Sequence, residues 1–269
     1  MAKILSNPKP ETRNPKPETR NPKLICIDAG NTLLKVALMA DGAVLSSASF
    51  ATGDNSGLLR HVEALPQADA CILSRSGAVD ECVVRLLRQK SAHFTELTAA
   101  TPLPIRNLYK TPETLGKDRL AAVVGARRLF PGKDILVFDA GTALTIDFID
   151  KEGNYRGGNI SPGLNMRFRA LHDYTQRLSL HSQTDDFETI GDSTAAAIIS
   201  GVQNGIIFEM DFYIQSFVKK FPQLVTILTG GDVNFFANKF ERRIFAEPNL
   251  VFIGLEDIVK FNIEKLKEP

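Results

Sequence analysis

Residues 136–147 read LVFDAGTALTID, and residues 25–36 carry a near-echo, ICIDAGNTLLKV. Ile25, Cys26 and Ile27 in one copy, and Leu136, Val137 and Phe138 in the other, are short apolar runs of the kind that form fully buried strands. Burial leaves unexplained why aspartate, alanine and glycine follow at the same place twice. In each copy an acid ends the strand, a glycine permits a tight reversal that brings backbone N–H groups near a ligand, and a hydroxyl follows within reach. A strand hairpin of this kind can cradle phosphate. An isolated Asp-Ala-Gly is most often only a turn; two copies in matching strand contexts favour the phosphate reading. Asp28 and Asp139 stand 111 positions apart (139 less 28), the span of a small α/β domain rather than of a solenoid repeat.

The rest of the chain alternates strands and helices from Lys23 onward. Ala43–Ser49 reads as a strand, Gly53–Asn55 as a polar turn, Leu58–Ala64 as a helix, Ala70–Leu73 as a buried strand and Val79–Gln89 as helical spacing. The segment TPLPIRNLYKTPETLGKDR at 101–119 reads mostly as loop, because Pro102, Pro104 and Pro112 disfavour helix in themselves and in the residues before them. A helix is expected from about Arg119 to Leu129, closed by Pro131 and Gly132. GGNISPG at 157–163 reads as a plain loop before a helix. The expected architecture is two similar α/β halves facing each other, 24–130 and 131–269.

Composition excludes several function classes. The 269 residues are 43% hydrophobic, in the globular range, and 32 basic against 31 acidic residues leave a formal net charge of +1. No global field recruits nucleic acid or an anionic membrane, so a small-molecule function is expected. Cys26, Cys71 and Cys82 show no CxxC spacing, which reads as reduced thiols in a cytoplasm. No apolar run reaches the ~18 residues of a membrane span, and no secretory signal is recognisable. The start is different material: NPKPETR occurs at 7–13 and again at 14–20, with Asn21, Pro22 and Lys23 beginning a third copy. Residues 1–23 are expected to be a disordered proline-rich extension, since they offer no apolar face to offset ordering entropy.

Facing a phosphate tail from opposite halves, Asp28 and Asp139 would repel it unless a cation intervened. Carboxylates suit hard cations such as Mg²⁺ and K⁺ that neutralise phosphoryl oxygens.

With these motifs in order, the chain resembles the type III pantothenate kinases of the acetate and sugar kinase, Hsp70 and actin superfamily. DAGNTLLK at 28–35 is similar to the family's first phosphate motif and DAGTALTID at 139–147 to its second. Thr229, Gly230, Gly231 and Asp232, after the apolar strand Leu224–Leu228, resemble the adenosine motif. Gly116–Arg119 carries the family's Gly-x-Asp-Arg, with Tyr109 ahead of it, and GDSTAAAIISG at 191–201 is similar to the helix-opening segment whose threonine, here Thr194, touches substrate. The resemblance runs from about Leu24 to Lys267.

It implies two ribonuclease H-like halves with an ATP cleft between them, and transfer of the γ-phosphoryl of ATP to pantothenate in a homodimer, to which the composition adds a cytoplasmic setting without nucleic-acid or membrane partners. ATP would meet Asp28, Ala29, Gly30, Asn31, Thr32, Leu33, Leu34, Lys35, Thr142, Gly230 and Gly231. Asp139 would hold a monovalent cation, K⁺ or NH₄⁺, and Asp28 would hold Mg²⁺ directly or through water. Tyr109, Gly116, Lys117, Asp118, Arg119 and Thr194 would bind pantothenate, with Asp118 the catalytic base and Arg119 a fork for the substrate carboxylate. Read without the family, Asp118 is a helix cap and Lys35 on its strand points to water. A nucleotide-binding regulator without kinase activity, and a kinase for another small hydroxylated metabolite, are the competing functions. Gly201 and Gly205, four apart on the helix after Thr194, suit either a subunit interface or ordinary packing, and His61, His93, His172 and His181 lack metal-ligand spacing.

Overall fold

A computed structural model describes residues 21–267; the first 20 residues of the expected extension lie outside them. The first half is a five-stranded sheet of β1 (Lys23–Ala29), β2 (Leu33–Ala40), β3 (Ala43–Ala51), β4 (Ala68–Arg75) and β5 (Ser91–Glu96). Helices α1 (Asn55–Ala64) and α2 (Glu81–Lys90) connect β3 to β4 and β4 to β5. β1, β2 and β3 form an antiparallel meander, while β4 and β5 run parallel to β1, in the order β3-β2-β1-β4-β5.

The second half repeats this plan. After a short β6 (Arg106–Asn107) and α3 (Lys117–Leu129) come β7 (Ile135–Ala140), β8 (Ala143–Ile149) and β9 (Asn154–Pro162), again an antiparallel meander. Helices α4 (Leu164–Asp173) and α5 (Thr194–Lys220) lead to β10 (Val225–Thr229), and α6 (Val233–Phe236) leads to β11 (Phe245–Ala246). Its order is β11-β10-β7-β8-β9-β6. With β6 set aside, this is the first sheet's order with β7 in the place of β1 and β10 in the place of β4. The sequence echo is therefore one strand hairpin used at the same place in two sheets.

The apolar runs read from the sequence are the two sheet centres: Ile25, Cys26, Ile27 and Phe138 are wholly buried, with Leu136 and Val137 almost so. Both faces of each central strand are covered, so the runs are continuous rather than alternating. On one face of the first sheet, α1 and α2 pack through Leu58, Val62, Val83 and Leu87. The other face is covered from the far end of the chain: α7 (Leu250–Lys265) lays Phe252, Ile253, Leu255 and Ile258 against Leu24, Cys26, Ala37 and Ile72. α3 meanwhile packs Leu120, Ala122 and Val123 against Ile135, Val137 and Ile149 of the second sheet. The two helices cross between the halves. A Cβ on Gly254 would stand 1.8 Å from the Ala121 carbonyl oxygen, and one on Gly125 would stand 2.3 Å from that of Leu250. Only glycine at both places lets the two backbones meet.

Two expectations are corrected. GGNISPG is not a loop: Gly157–Pro162 belong to β9, where Gly157 lies against the Tyr109 ring and a Cβ on Gly158 would fall 1.9 Å from the Ile146 carbonyl oxygen. Those glycines mark close approach within a sheet, not a turn. The helix expected from Arg119 begins two residues earlier, at Lys117 with Gly116 as its N-cap. Among the described residues no helix is long and apolar enough to cross a membrane.

Candidate active site

The two echo hairpins end at a common cleft of about 1370 Å³ between the sheets. At the tip of each, a glycine closes the turn: the Gly30 N–H donates to the Leu33 carbonyl at 3.0 Å and the Gly141 N–H to the Ala143 carbonyl at 3.1 Å. The glycine amides are thus consumed inside the turns. Among the described residues, the next amides, those of Asn31, Thr32 and Thr142, donate to no protein acceptor, which leaves them for an anion. The hydroxyls of Thr32 and Thr142 meet across the cleft at 3.1 Å.

Behind the tips stand the acids. Asp28 and Lys35 pair across the β1/β2 ladder and both line the cleft, so Lys35 faces the cleft rather than only bulk water. Asp139 occupies the matching place in β7, and Asp118, in the first turn of α3, lines the same cleft. Burial, reinforced by the negative charge of Asp118, raises the Asp28 carboxyl to about 6, although Ser74 Oγ donates to it at 3.1 Å. Burial and Asp118 likewise push Asp139 to about 7. Anions this poorly solvated in one another's presence favour a cation.

No group of three or more His, Cys, Asp or Glu side chains that could hold a metal occurs among the described residues. Asp28 and Asp139, the carboxylates on the cleft, suit an ion such as Mg²⁺, which is commonly held by one or two carboxylates with substrate phosphates supplying the remaining ligands. The residues present fit a cation that arrives with the nucleotide.

In the segment expected to hold adenosine, Gly230 (φ +100°) abuts the end of β7, where a Cβ would lie 2.4 Å from the Ala140 carbonyl oxygen. The Asp232 N–H donates to that same oxygen at 2.9 Å. Gly230, Gly231 and Asp232 all line the cleft. Ala29 and Leu34 do not reach it by side chain, being buried in the first sheet; Leu33, 43% exposed, does.

The Gly-x-Asp-Arg segment is built by the start of α3. A Cβ on Gly116 would stand 2.5 Å from Asp118 Oδ1, so a larger residue there would push the Asp118 carboxylate out of its present place. Asp118 is not the N-cap; its Oδ1 accepts the Arg119 N–H at 2.9 Å from inside the first turn. Lys117 turns away, its ammonium donating to the Leu115 carbonyl at 3.0 Å. Arg119 is buried, 4% exposed, and its Nε and Nη2 fork onto Asp147 at 3.1 and 2.6 Å. Burial opposes the guanidinium charge, and the bonds to Asp147 more than offset it, so its pKa is raised further. Tyr155 donates its hydroxyl to Asp147 at 2.7 Å and stacks on Tyr109 at 6.0 Å between centroids. The Arg119 guanidinium carbon lies 5.7 Å from the Tyr109 ring centroid. Tyr109, Arg119, Asp147 and Tyr155 are thus one packed unit. Sequence reasoning missed Asp147 and Tyr155. Asp147 closes the second echo, and an acid flanked by Ile146 and Phe148 inside an apolar strand was the available signal. Thr194 opens α5 behind the N-cap Ser193, whose hydroxyl accepts the Ala196 N–H at 3.2 Å.

A sequence model described as type III pantothenate kinase matches residues 24–216. The chain belongs to this family. A type III pantothenate kinase from Bacteroides fragilis is 43% identical over 238 residues, 88% of this chain and 98% of that protein. Among solved structures, a Baf family transcriptional activator from Campylobacter jejuni is similar with a TM-score of 0.57 at 24% identity, covering 89% of this chain and 99% of that one. MreB5 of Spiroplasma citri bound to ADP is similar with a TM-score of 0.50 at 10% identity, covering 94% and 100%. These likenesses give the fold, that of the actin, Hsp70 and sugar kinase type with a cleft between two ribonuclease H-like halves. As a type III pantothenate kinase relative, the chain is an enzyme of the kinase class.

Proposed function

We propose that this chain transfers the γ-phosphoryl of ATP to the primary hydroxyl of pantothenate, giving 4′-phosphopantothenate in the first step of coenzyme A synthesis. The observation that carries this reading is the convergence of both Asp-Ala-Gly hairpins and Asp118 on one cleft in a chain of this family. Phosphoryl transfer requires alignment, charge neutralisation and an acceptor for the hydroxyl proton. The free amides of Asn31, Thr32 and Thr142, with Lys35, hold the phosphates, while Gly230 and Gly231 admit the nucleoside. Mg²⁺ supplies charge neutralisation when bound, with Asp28 its carboxylate partner directly or through water. Asp139 suits a monovalent cation, K⁺ or NH₄⁺. Asp118 takes the hydroxyl proton.

Arg119, fixed by Asp147, keeps its Nη1 outside that contact and directs it at the pantothenate carboxylate beside Tyr109. Gly116 and Lys117 serve through their backbone, and Thr194 supplies a hydroxyl. The working unit is a cytoplasmic homodimer. α5 leaves Phe208 and Phe212 60% and 69% exposed, and beyond Gly201 there is open space; these residues and Gly205 share one helix face. A coupled assay of ADP release with ATP and pantothenate tests the reaction, and no pantothenate-dependent release would refute it.

A further inference from the structure

The wall of the cleft facing the α4–α5 side is a segment without regular structure, residues 180–186, whose Leu180, His181, Gln183 and Asp186 line the cavity. Having no ladder or helix of its own, it takes its position from what holds it. Gln203 of α5 is wholly buried. Its side chain treats Thr184 as a neighbouring strand would: Oε1 accepts the Thr184 N–H at 2.9 Å and Nε2 donates to the Thr184 carbonyl at 3.0 Å. A buried amide without partners costs stability, and here both ends are satisfied by one residue of the wall.

Two further anchors act on this segment and on the residues that continue it to Glu188. Asn204 Nδ2 donates to the Glu188 carbonyl at 3.1 Å. Lys239, just past α6, lies 3.3 Å from the Asp185 carboxylate and about 5 Å from the Phe187 and Phe235 ring centroids. Phe235 belongs to the helix that follows Asp232, so this anchor ties the wall to the adenosine side of the cleft.

We propose that Gln203 is a positioning residue for the nucleotide: without touching the cleft, it holds segment 180–186 as the wall that closes over the nucleoside end of bound ATP. The inference rests on the ATP reading above. Gln203 does not line the cavity, so any effect on ATP passes through the segment.

The test compares wild type with Gln203→Met, which keeps length and apolar packing but removes both bonds, and with Lys239→Met on the surface anchor. Calorimetry with a non-hydrolysable ATP analogue and Mg²⁺ is run beside steady-state kinetics and amide hydrogen exchange over residues 180–189. In Gln203→Met, affinity for the analogue falls and KM for ATP rises by about tenfold, the worth of one to two hydrogen bonds. kcat at saturating ATP is retained, and exchange protection at Thr184 is lost. Lys239→Met shifts KM for ATP in the same direction by less, and carries the test if Gln203→Met does not fold. Unchanged ATP affinity in a folded Gln203→Met, or a change confined to KM for pantothenate, overturns the proposal. Failure of wild type to bind the analogue refutes the ATP reading instead.

Discussion

The Thr32 and Thr142 hydroxyls lie 3.1 Å apart, one from each hairpin tip, and so join the two halves at the point where the phosphates are proposed to sit. A phosphate inserted there replaces one hydroxyl–hydroxyl bond with charge-assisted bonds to both, which are stronger. Thr142→Val keeps the shape and removes one donor, and KM for ATP should rise by about five- to tenfold. Steady-state kinetics at saturating pantothenate reads this out. Unchanged or tighter ATP binding would mean that the pair only holds the free cleft shut.

Asp118 is half-buried in the first turn of α3 and, among the described residues, bonds only its neighbour's amide, so its loss should cost little stability. If it accepts the hydroxyl proton, it should matter far more to rate. Asp118→Asn is expected to lose about 10²-fold or more in turnover, with ATP-analogue binding and thermal unfolding nearly unchanged. Near-normal turnover would return Asp118 to a helix-terminus role.

The echo was legible because it is local: twelve contiguous residues fix a buried strand, its turn and its partner strand, and β1–β2 and β7–β8 form as read. Arg119 and Asp147 were each within quoted motifs, yet their pairing was not, because it depends on how α3 crosses the second sheet. β9 was misread because glycine in a sequence signals a turn, while Gly158 is there for the Ile146 carbonyl. Gln203 gave no signal at all, since a glutamine within a helix reads as solvated until its face is known.

Arg119 and Asp147 are 5% and 1% exposed by side chain, so the pair cannot be opened cheaply. Replacing a buried partner leaves an uncompensated charge, at about 3–5 kcal/mol. Asp147→Asn should lower stability toward that range in chemical denaturation and also weaken pantothenate binding, because the Arg119 fork loses its orientation. A variant that keeps stability but loses pantothenate affinity would place Asp147 in substrate contact rather than behind it.

The cleft acids set a pH dependence opposite to the usual carboxylate case. Asp28 and Asp139 titrate in the folded chain near 6 and 7, above their ordinary value of 3.8, so between about pH 4 and 7 the native state holds more protons than the unfolded one. Their contribution to stability is therefore present below about pH 4 and is lost as pH rises through 6 to 7. For the ligand-free protein, this predicts that Asp139→Asn narrows the fall in melting temperature between pH 5 and pH 8. An identical fall in variant and wild type would show that Asp139 is already solvated or compensated.

The crossing of α3 and α7 offers a test in which two effects oppose each other. In a helix interior Gly→Ala gains up to about 1 kcal/mol from propensity. At Gly254, however, the added methyl would stand 1.8 Å from the Ala121 carbonyl oxygen and 2.9 Å from the Gly125 amide, both backbone atoms of a buried helix that cannot swing aside. Overpacking of this kind costs about 1–3 kcal/mol or more, so the clash should win and Gly254→Ala should be destabilised in urea denaturation. Because α3 carries Asp118 and Arg119 at its start and α7 lines the cleft through Val251 and Phe252, separating the helices shifts one of these walls, and KM for pantothenate should rise with the loss of stability. Gly132, in a turn with open space around it, is the control: its φ of +72° makes Gly132→Ala costly through backbone strain alone, by about 1 kcal/mol, with no change in KM. Equal kinetic effects from the two variants would separate the helix crossing from the site.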